Sequence, residues 1–242
     1  MKTDIQTVVH KANSRGAADH GWLKARHTFS FAGYYNEDRE QFGALRVLND
    51  DVIEGGNGFG MHPHNNMEII TIPLEGALRH KDSMGHTSVI KAGDLQIMSA
   101  GKGLTHSEYN ASPSEALNLL QIWLFPKSRN IEPRYGEQTF DVAAMQGQWL
   151  NVVSPLEDET GALQINQDAW FSLGKFEKGA TVSYDTKRAG NGLYIFTIEG
   201  IVTVQNEALT KRDAIGIEHV EQIEFNVQSD AYILVMDVPM NV

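Results

Sequence analysis

Two short pairs of residues carry the strongest chemical signal in the sequence. His62 and His64 are separated by one residue, and so are His106 and Glu108. On a β-strand this spacing points both side chains of a pair to the same face, because successive residues alternate sides. Two such strands side by side would bring three imidazoles and one carboxylate to a single point. Three nitrogens and one oxygen suit a divalent first-row transition metal that keeps coordination positions open for water or a substrate.

Glycines come before both pairs. Gly55, Gly56, Gly58 and Gly60 precede the first pair, and residues 93, 101 and 103 before the second pair are also glycines. Glycine permits the sharp turns that would place each pair just beyond a bend. A lone His-x-His on a strand is more often an exposed or hydrogen-bonded pair than a set of ligands. Two pairs with matching spacing favour the metal site, and we predict one metal ion per chain.

Composition limits the classes of protein that fit. The chain has 242 residues, of which 41% are hydrophobic, so it can bury a real core. It has no cysteine, which excludes disulfides and thiolate ligands and suits a cytoplasmic protein. The formal net charge of −11 argues against direct binding to nucleic acid. We find no apolar run long enough to span a membrane and no signal-peptide pattern in residues 1–16, so we expect a cytoplasmic location.

Short strand signals recur along the first half, and they would position the two pairs. The apolar or alternating runs lie at residues 68–74, 88–91, 95–99 and 118–125, with glycine turns between them. No convincing helical period interrupts them. This pattern predicts an all-β fold made of an antiparallel barrel or jelly roll.

The second half repeats the first faintly, which predicts a duplicated barrel. The matching segments are 195–200 with 70–76, 212–217 with 92–97, and 232–237 with 119–125. Carried across, this register puts Thr186 and Arg188 near the places of His62 and His64, and Asn226 and Gln228 near those of His106 and Glu108. The second half would then hold no metal and serve as scaffold, lid or interaction surface.

Two further histidines, His80 and His86, flank a predicted hairpin turn. We expect both to be exposed to solvent, although His80 could lie near the mouth of the barrel.

Five stretches of the first half resemble the pirin family, and particularly the bacterial pirins that have been studied as quercetin 2,3-dioxygenases. They are HTFSFAGYY (27–35), FGALRVLNDD (42–51), GFGMHPHNNMEIIT (58–71), LEGALRHKDSMGH (74–86) and AGDLQIMSAGKGLTHSEYN (92–110). The resemblance covers nearly the whole first half, whereas the second half is similar only in length and strand order.

The resemblance implies a bicupin, in which two antiparallel jelly-roll barrels pack face to face. We expect residues 1–130 to form the barrel with the metal site and residues 131–242 to form one without ligands. Matched by position, the pirin metal ligands are His62, His64, His106 and Glu108. Glu68, the glutamate of the general cupin motif, is not a ligand in pirins; we expect it to support the ligands by hydrogen bonding.

The resemblance also implies a function. A pirin of this kind would hold one divalent metal, Fe(II) in the first place, with Mn, Co, Ni, Cu or Zn as alternatives. It would cleave a flavonol with O₂ and release carbon monoxide, and Glu108 would take up the proton of the flavonol hydroxyl. The alternative is a redox sensor or cofactor of transcription regulators or metabolic enzymes that has no activity of its own. We expect a monomer with no membrane partner and leave open a protein partner.

Overall fold

The computed structural model of the chain describes residues 4–158 and 160–241. These residues form strands and two short 3₁₀ helices, Ala12–Ser14 and Val142–Met145. The strands of the first half are β1 (Gln6–His10), β2 (Gly16–Asp19), β3 (Leu23–His27), β4 (Leu45–Ile53), β5 (Gly58–His64), β6 (Glu68–Glu75), β7 (Ala77–Asp82), β8 (Thr87–Lys91), β9 (Asp94–Ser99), β10 (Leu104–Asn110), β11 (Leu117–Leu124) and β12 (Arg134–Thr139). Those of the second half are β13 (Trp149–Pro155), β14 (Leu163–Ile165), β15 (Trp170–Phe176), β16 (Thr181–Asp185), β17 (Asn191–Glu199), β18 (Val202–Val204), β19 (Glu207–Leu209), β20 (Ala214–Glu218), β21 (Gln222–Val227) and β22 (Ala231–Pro239). The predicted all-β class is confirmed, and within the described residues no helix has the length and hydropathy needed to cross a membrane.

Each half of the fold consists of one large and one small sheet. The first half has the sheets β12-β9-β6-β11-β4-β3-β2 and β5-β10-β7-β8. The second half has β1-β20-β17-β22-β15-β13-β14 and β16-β21-β18-β19. Pairing is antiparallel except between β13 and β14, which run parallel. The strand order is therefore the same in both halves, as the predicted bicupin requires.

The two large sheets pack against each other through their outer faces. Leu48 and Ile122 from the first sheet share one buried hydrophobic cluster with Phe171 and Leu234 from the second. The strands of these sheets are thus covered on both faces, which explains why runs such as EIITIPL are almost continuously apolar. The face-to-face packing of the two barrels is as predicted.

The edge strands of the large sheets are exchanged between the halves. Strand β1, which precedes the first barrel, pairs with β20 of the second, with Gln6 opposite Glu218. Strand β12, which follows the first barrel, completes the first large sheet by pairing with β9, with Arg134 opposite Ser99. The division of the chain after residue 130 stays a prediction. Strand β1 lies before this boundary but belongs to the second large sheet, and β12 lies after it but belongs to the first.

The interior of the first barrel changes character along its axis. On β11 the side chains that face this interior are, in order, Leu119, Gln121 and Trp123. Leu119 belongs to one apolar cluster, and Trp123 packs against another that contains Met98. A polar layer therefore lies between two apolar layers, and it is in this layer that the site is found.

Candidate metal centre

Strands β5 and β10 carry the two sequence pairs and lie side by side in the small sheet of the first barrel. They pair antiparallel, with His62 directly opposite His106. Strand β5 is the edge strand of that sheet, so its side chains lie next to solvent. Because alternate residues share a face, His64 and Glu108 point to the same interior as their partners.

The three histidines come together at one point. The ring centroids of His62 and His106 are 4.3 Å apart, and the ring of His64 lies 4.9 Å from each of the others. One ring nitrogen from each residue can be chosen so that all three lie within 4.8 Å of one another. A single metal ion bound at distances of about 2.0–2.1 Å would lie between these nitrogens after at most a small inward movement of the rings.

An irregularity in the strand pairing orients one of these rings. The register shifts between His106 and Glu108, which lie opposite His62 and Phe59 respectively. An extra residue on one strand bends it and redirects nearby side chains. Here the carbonyl oxygen of Gly60 lies 2.8 Å from His62 Nδ1 and accepts a hydrogen bond from the Nδ1–H group. This contact fixes the tautomer and leaves Nε2 of His62 free as a ligand atom.

Burial keeps the deeper imidazoles in the neutral form that binds metals. Burial, followed by the charges of His62 and His64, lowers the pKa of His106 to about 2. Burial, followed by the charge of His62, lowers the pKa of His64 to about 4. Both rings are therefore uncharged at neutral pH, and a metal ion does not have to displace a proton from them.

Glu108, the fourth predicted ligand, lies outside the close set of three imidazoles. Its carboxylate is buried and accepts hydrogen bonds from Gln121 Nε2, at 3.2 Å to Oε1 and 3.0 Å to Oε2. The hydroxyl of Thr71 lies 3.4 Å from Oε1. Burial raises the pKa of Glu108, and the contacts with Gln121, His62 and Thr71 oppose that rise. A metal cation beside this carboxylate would favour its charged form.

The residues present fit a divalent transition metal. Within the described part of the chain, both ring nitrogens of His106 are buried without a hydrogen-bond partner. Such orphaned nitrogens are costly unless something binds them, and a metal ion is a suitable partner. Three imidazoles and a nearby carboxylate form the donor set of many first-row metal sites, which leaves the identity of the metal open.

Aromatic rings line the approach to the three histidines. The indole of Trp123 stands edge-on to His64, with centroids 4.9 Å apart, and Phe31 packs against the same indole at 5.3 Å. On the other side, Phe59 lies 6.4 Å from His62. These rings give the surroundings of the three histidines apolar surfaces, against which a flat aromatic molecule can pack.

Glu68 does not point towards the metal centre, as its expected role would require. Its side chain is fully buried and accepts hydrogen bonds from Ser99 Oγ at 2.6 Å and from the backbone N–H of Asn166 at 3.0 Å. It therefore faces the second half of the chain, and the expectation that it supports a ligating imidazole is wrong. The reason is strand alternation: Glu68 shares the outer face of β6 with Ile70, which packs between the halves.

Other interior residues were missed from the sequence. His80 is fully buried, not exposed, and its ring lies 5.5 Å from that of His106. The alternation in ALRHKD gives the signal, because Leu78, His80 and Asp82 are the buried positions of β7. Thr71 and Gln121 were also detectable, as polar residues within otherwise apolar strands must find partners when buried. His86 is exposed, as expected.

The second barrel offers neither imidazole nor carboxylate at the matching positions. The turn glycines Gly76 and Gly200 and the strand pairs that follow them give the structural register between the barrels. In this register, His62, His64, His106 and Glu108 correspond to Tyr184, Thr186, Ile223 and Phe225. The predicted counterparts Thr186, Arg188, Asn226 and Gln228 were wrong by two or three residues, because the connecting loops differ in length between the halves.

Two family models match the chain, one in each half. The model described as Pirin matches residues 8–124, and the model described as Quercetinase C-terminal cupin domain matches residues 151–238. Together they cover most strands of each barrel, including the three histidines and Glu108, and leave out β12, which lies between them.

Individual proteins match over almost the whole chain. The quercetin 2,3-dioxygenase of Escherichia coli K12 is 43% identical over 235 residues, covering 96% of this chain and 98% of that protein. A pirin-like protein of Caulobacter vibrioides is 40% identical and covers 92% of this chain and 95% of its own length. Among solved structures, the bacterial pirin YhhW of Escherichia coli in complex with nickel(II) has a TM-score of 0.91 and 42% identity. That match covers 98% of this chain and 100% of the other.

Proposed function

Because this chain belongs to the pirin family of metal-dependent cupin proteins, we propose that it is a dioxygenase that cleaves flavonols such as quercetin. One observation carries the proposal. Three imidazoles converge beside an exposed edge strand, with a buried carboxylate on the same face. The names of the similar proteins support the choice of substrate, and the nickel(II) complex of a relative supports a divalent metal.

His62, His64 and His106 would hold the metal, with Glu108 as the fourth ligand. We place Fe(II) first, with Mn, Co, Ni, Cu or Zn as alternatives. When bound, such an ion supplies a positive charge that polarises the oxygen atoms it contacts and open positions where a substrate and O₂ can meet.

Glu108 would act as the proton acceptor. The 3-hydroxyl of a flavonol must lose its proton before the ring becomes electron-rich enough to react with O₂. Gln121 already donates hydrogen bonds to both oxygens of this carboxylate, which favours the charged, proton-accepting form. The substrate is then oxidised: both oxygen atoms enter the products, the heterocycle opens, and one carbon leaves as carbon monoxide.

The aromatic walls would orient the substrate. Trp123 beside His64 and Phe59 beside His62 would give a substrate at the metal centre apolar surfaces to pack against. A fused aromatic ring fits between such walls through offset or edge-on contacts. Its hydroxyl and carbonyl oxygens would then point at the imidazoles.

The test is turnover by metal-loaded protein. With quercetin and O₂ we expect oxygen uptake and release of carbon monoxide in equal amounts. Glu108→Gln keeps a possible oxygen ligand but loses the base, so it should lower kcat more than it raises KM. The matched control is Gln222→Glu, an exposed amide–carboxylate exchange in the second barrel, which should leave both constants unchanged.

Two outcomes would contradict the proposal. Full activity in a His62→Ala protein shown to lack metal would exclude a metal-dependent reaction. An inactive wild type across several metals would favour the alternative, a redox sensor or protein-binding cofactor, which we expect to act without consuming quercetin.

A further inference from the structure

A single amide from the facing sheet holds both oxygens of the Glu108 carboxylate. Gln121 Nε2 lies 3.2 Å from Oε1 and 3.0 Å from Oε2. On the other side of this amide, the hydroxyl of Thr71 lies 3.1 Å from Gln121 Oε1. The same hydroxyl is 3.4 Å from Glu108 Oε1, and since it has one proton, the nearer amide oxygen is the better acceptor.

These contacts fix which way the amide points. With its nitrogen towards Glu108, Gln121 donates to a carboxylate and accepts from Thr71. The opposite orientation would place the amide oxygen against the carboxylate, where two acceptors face each other without a proton between them. Gln121 is therefore a donor held in place before any ligand arrives.

The sheet itself builds this arrangement. Thr71 and Gln121 are direct partners on β6 and β11, so their side chains lie next to each other on the interior face. In the second barrel the corresponding partners are Ile195 and Val235, both buried, and the counterpart of the carboxylate is Phe225. The polar pair is thus present in the barrel that has the carboxylate and replaced by hydrocarbon in the barrel that lacks it.

We propose that Gln121, with its amide fixed by Thr71, is a positioning residue that aims the Glu108 carboxylate at the metal centre. It thereby sets how tightly the three histidines and Glu108 hold their metal. This inference rests on the proposed role of Glu108 as a ligand. A carboxylate has about four lone-pair sites, so the amide hydrogen bonds leave room for a metal bond. Residues that orient metal ligands in this way contribute roughly 10–100-fold to metal affinity.

The chain offers a matched control in the same row of the same sheet. Gln96 on β9 lies directly opposite Thr71 on its other side; it is buried, whereas Gln121 is half-buried. Its amide donates to the hydroxyl of Tyr135 at 3.1 Å and does not contact Glu108. Gln121→Leu and Gln96→Leu are therefore the same chemical change two strands apart.

The experiment measures the metal site without relying on turnover. Nickel(II) affinity is determined by calorimetry, and the visible absorption spectrum of cobalt(II)-loaded protein reports the ligand set. We expect Gln121→Leu to weaken nickel(II) binding by roughly 10-fold or more, and Gln96→Leu to stay within about 2-fold of wild type. The cobalt(II) spectrum of Gln121→Leu should shift towards that of Glu108→Gln.

A second pair of variants tests the role of the hydroxyl and does not depend on Gln121→Leu folding. Thr71→Val removes the hydroxyl at nearly constant volume and should weaken nickel(II) binding in the same direction by a smaller factor. Thr71→Ser restores the hydroxyl and should restore both the affinity and the cobalt(II) spectrum of wild type.

Each contrary result has a distinct meaning. If Glu108→Gln changes affinity and spectrum but Gln121→Leu and Thr71→Val do not, the positioning role is overturned and the proposed function stands. If Gln96→Leu weakens nickel(II) binding as much as Gln121→Leu, the effect is one of general packing and the positioning role is also overturned. If Glu108→Gln itself leaves both measurements unchanged, the ligand role of Glu108 in the proposed function fails.

Discussion

The two barrels have the same strand order, but the side chains that fill their interiors differ in polarity. The first barrel places polar side chains at interior positions where the second places hydrocarbon or an aromatic ring. The corresponding pairs, first barrel then second, are Thr71 and Ile195, His80 and Val204, Gln96 and Ile215, His106 and Ile223, Glu108 and Phe225, and Gln121 and Val235. The members of the second set all belong to one buried apolar cluster.

This difference shows that the barrel fold can form without polar side chains in its interior. Burying a polar group costs free energy unless it is fully hydrogen-bonded, and burying a charge costs more. His80 illustrates the cost, because both its ring nitrogens lack hydrogen-bond partners among the described residues. Val204 at the same place carries no such cost. The first barrel is therefore built around its ligands, whereas the second is built as a core.

The largest expected effect comes from removing metal ligands, which tests whether the first barrel alone binds metal. We expect wild-type protein to hold one metal ion per chain and His62→Ala/His106→Ala to hold none after dialysis. The control in the second barrel is Thr186→Ala, at the position that matches His64, which should keep the full complement. Elemental analysis checks all three proteins. Two metal ions per wild-type chain, or full occupancy in the double variant, would show that the second barrel also binds metal or that other residues bind it.

Substituting one interior residue in each barrel should have the next largest effect, which is on the free energy of unfolding. Val204→His puts an imidazole without partners into an apolar core and should lower the free energy of unfolding by about 3 kcal/mol. His80→Phe removes the unpartnered nitrogens from the first barrel and should raise it by about 1 kcal/mol. Chemical denaturation of apo protein measures both. Equal losses from the two exchanges would mean that His80 is needed for packing.

The smallest expected effect concerns the contact between the halves. Burial raises the pKa of Glu68 to about 7 from its ordinary 4.5, despite its hydrogen bonds with Ser99 and Asn166. Between those two pH values the folded chain holds more protons than the unfolded chain, so stability falls as pH rises from 4.5 to 7. Across pH 5 to 8 the contribution of Glu68 to this loss should be about 2 kcal/mol, and Glu68→Gln should remove that contribution.

Denaturation curves at several pH values check this last prediction. Glu157→Gln, on an exposed loop of the second half, is the control that should leave the pH dependence as it is. A pH dependence of the same size in Glu68→Gln as in wild type would contradict this prediction. Asp51, whose pKa burial raises to about 8, accounts for the pH dependence that remains in both proteins.

The sequence predicted those features that depend on local spacing. The i, i+2 pairs placed three imidazoles together because alternation along a strand is a local property. What lies across the barrel from them was not predicted, because the contact of Gln121 with Glu108 depends on how two sheets face each other. The register between the barrels was missed for a similar reason, since Tyr184 takes the place of His62 only when the loop lengths are known. The exchange of β1 and β12 was not predicted either. It depends on which distant segments pair with each strand, and local sequence patterns do not specify that.

The exchanged strand β1 has a consequence for how the chain is made. It is synthesised well before its partner β20, which begins only at Ala214, on the order of 200 residues later. At translation rates of roughly 5–20 residues per second, β1 waits roughly 10–40 s for that partner. The first large sheet has no such delay, because β12 leaves the ribosome soon after β9. Strand β1 is therefore made before the strands of the first barrel but can take its place in a sheet only after them.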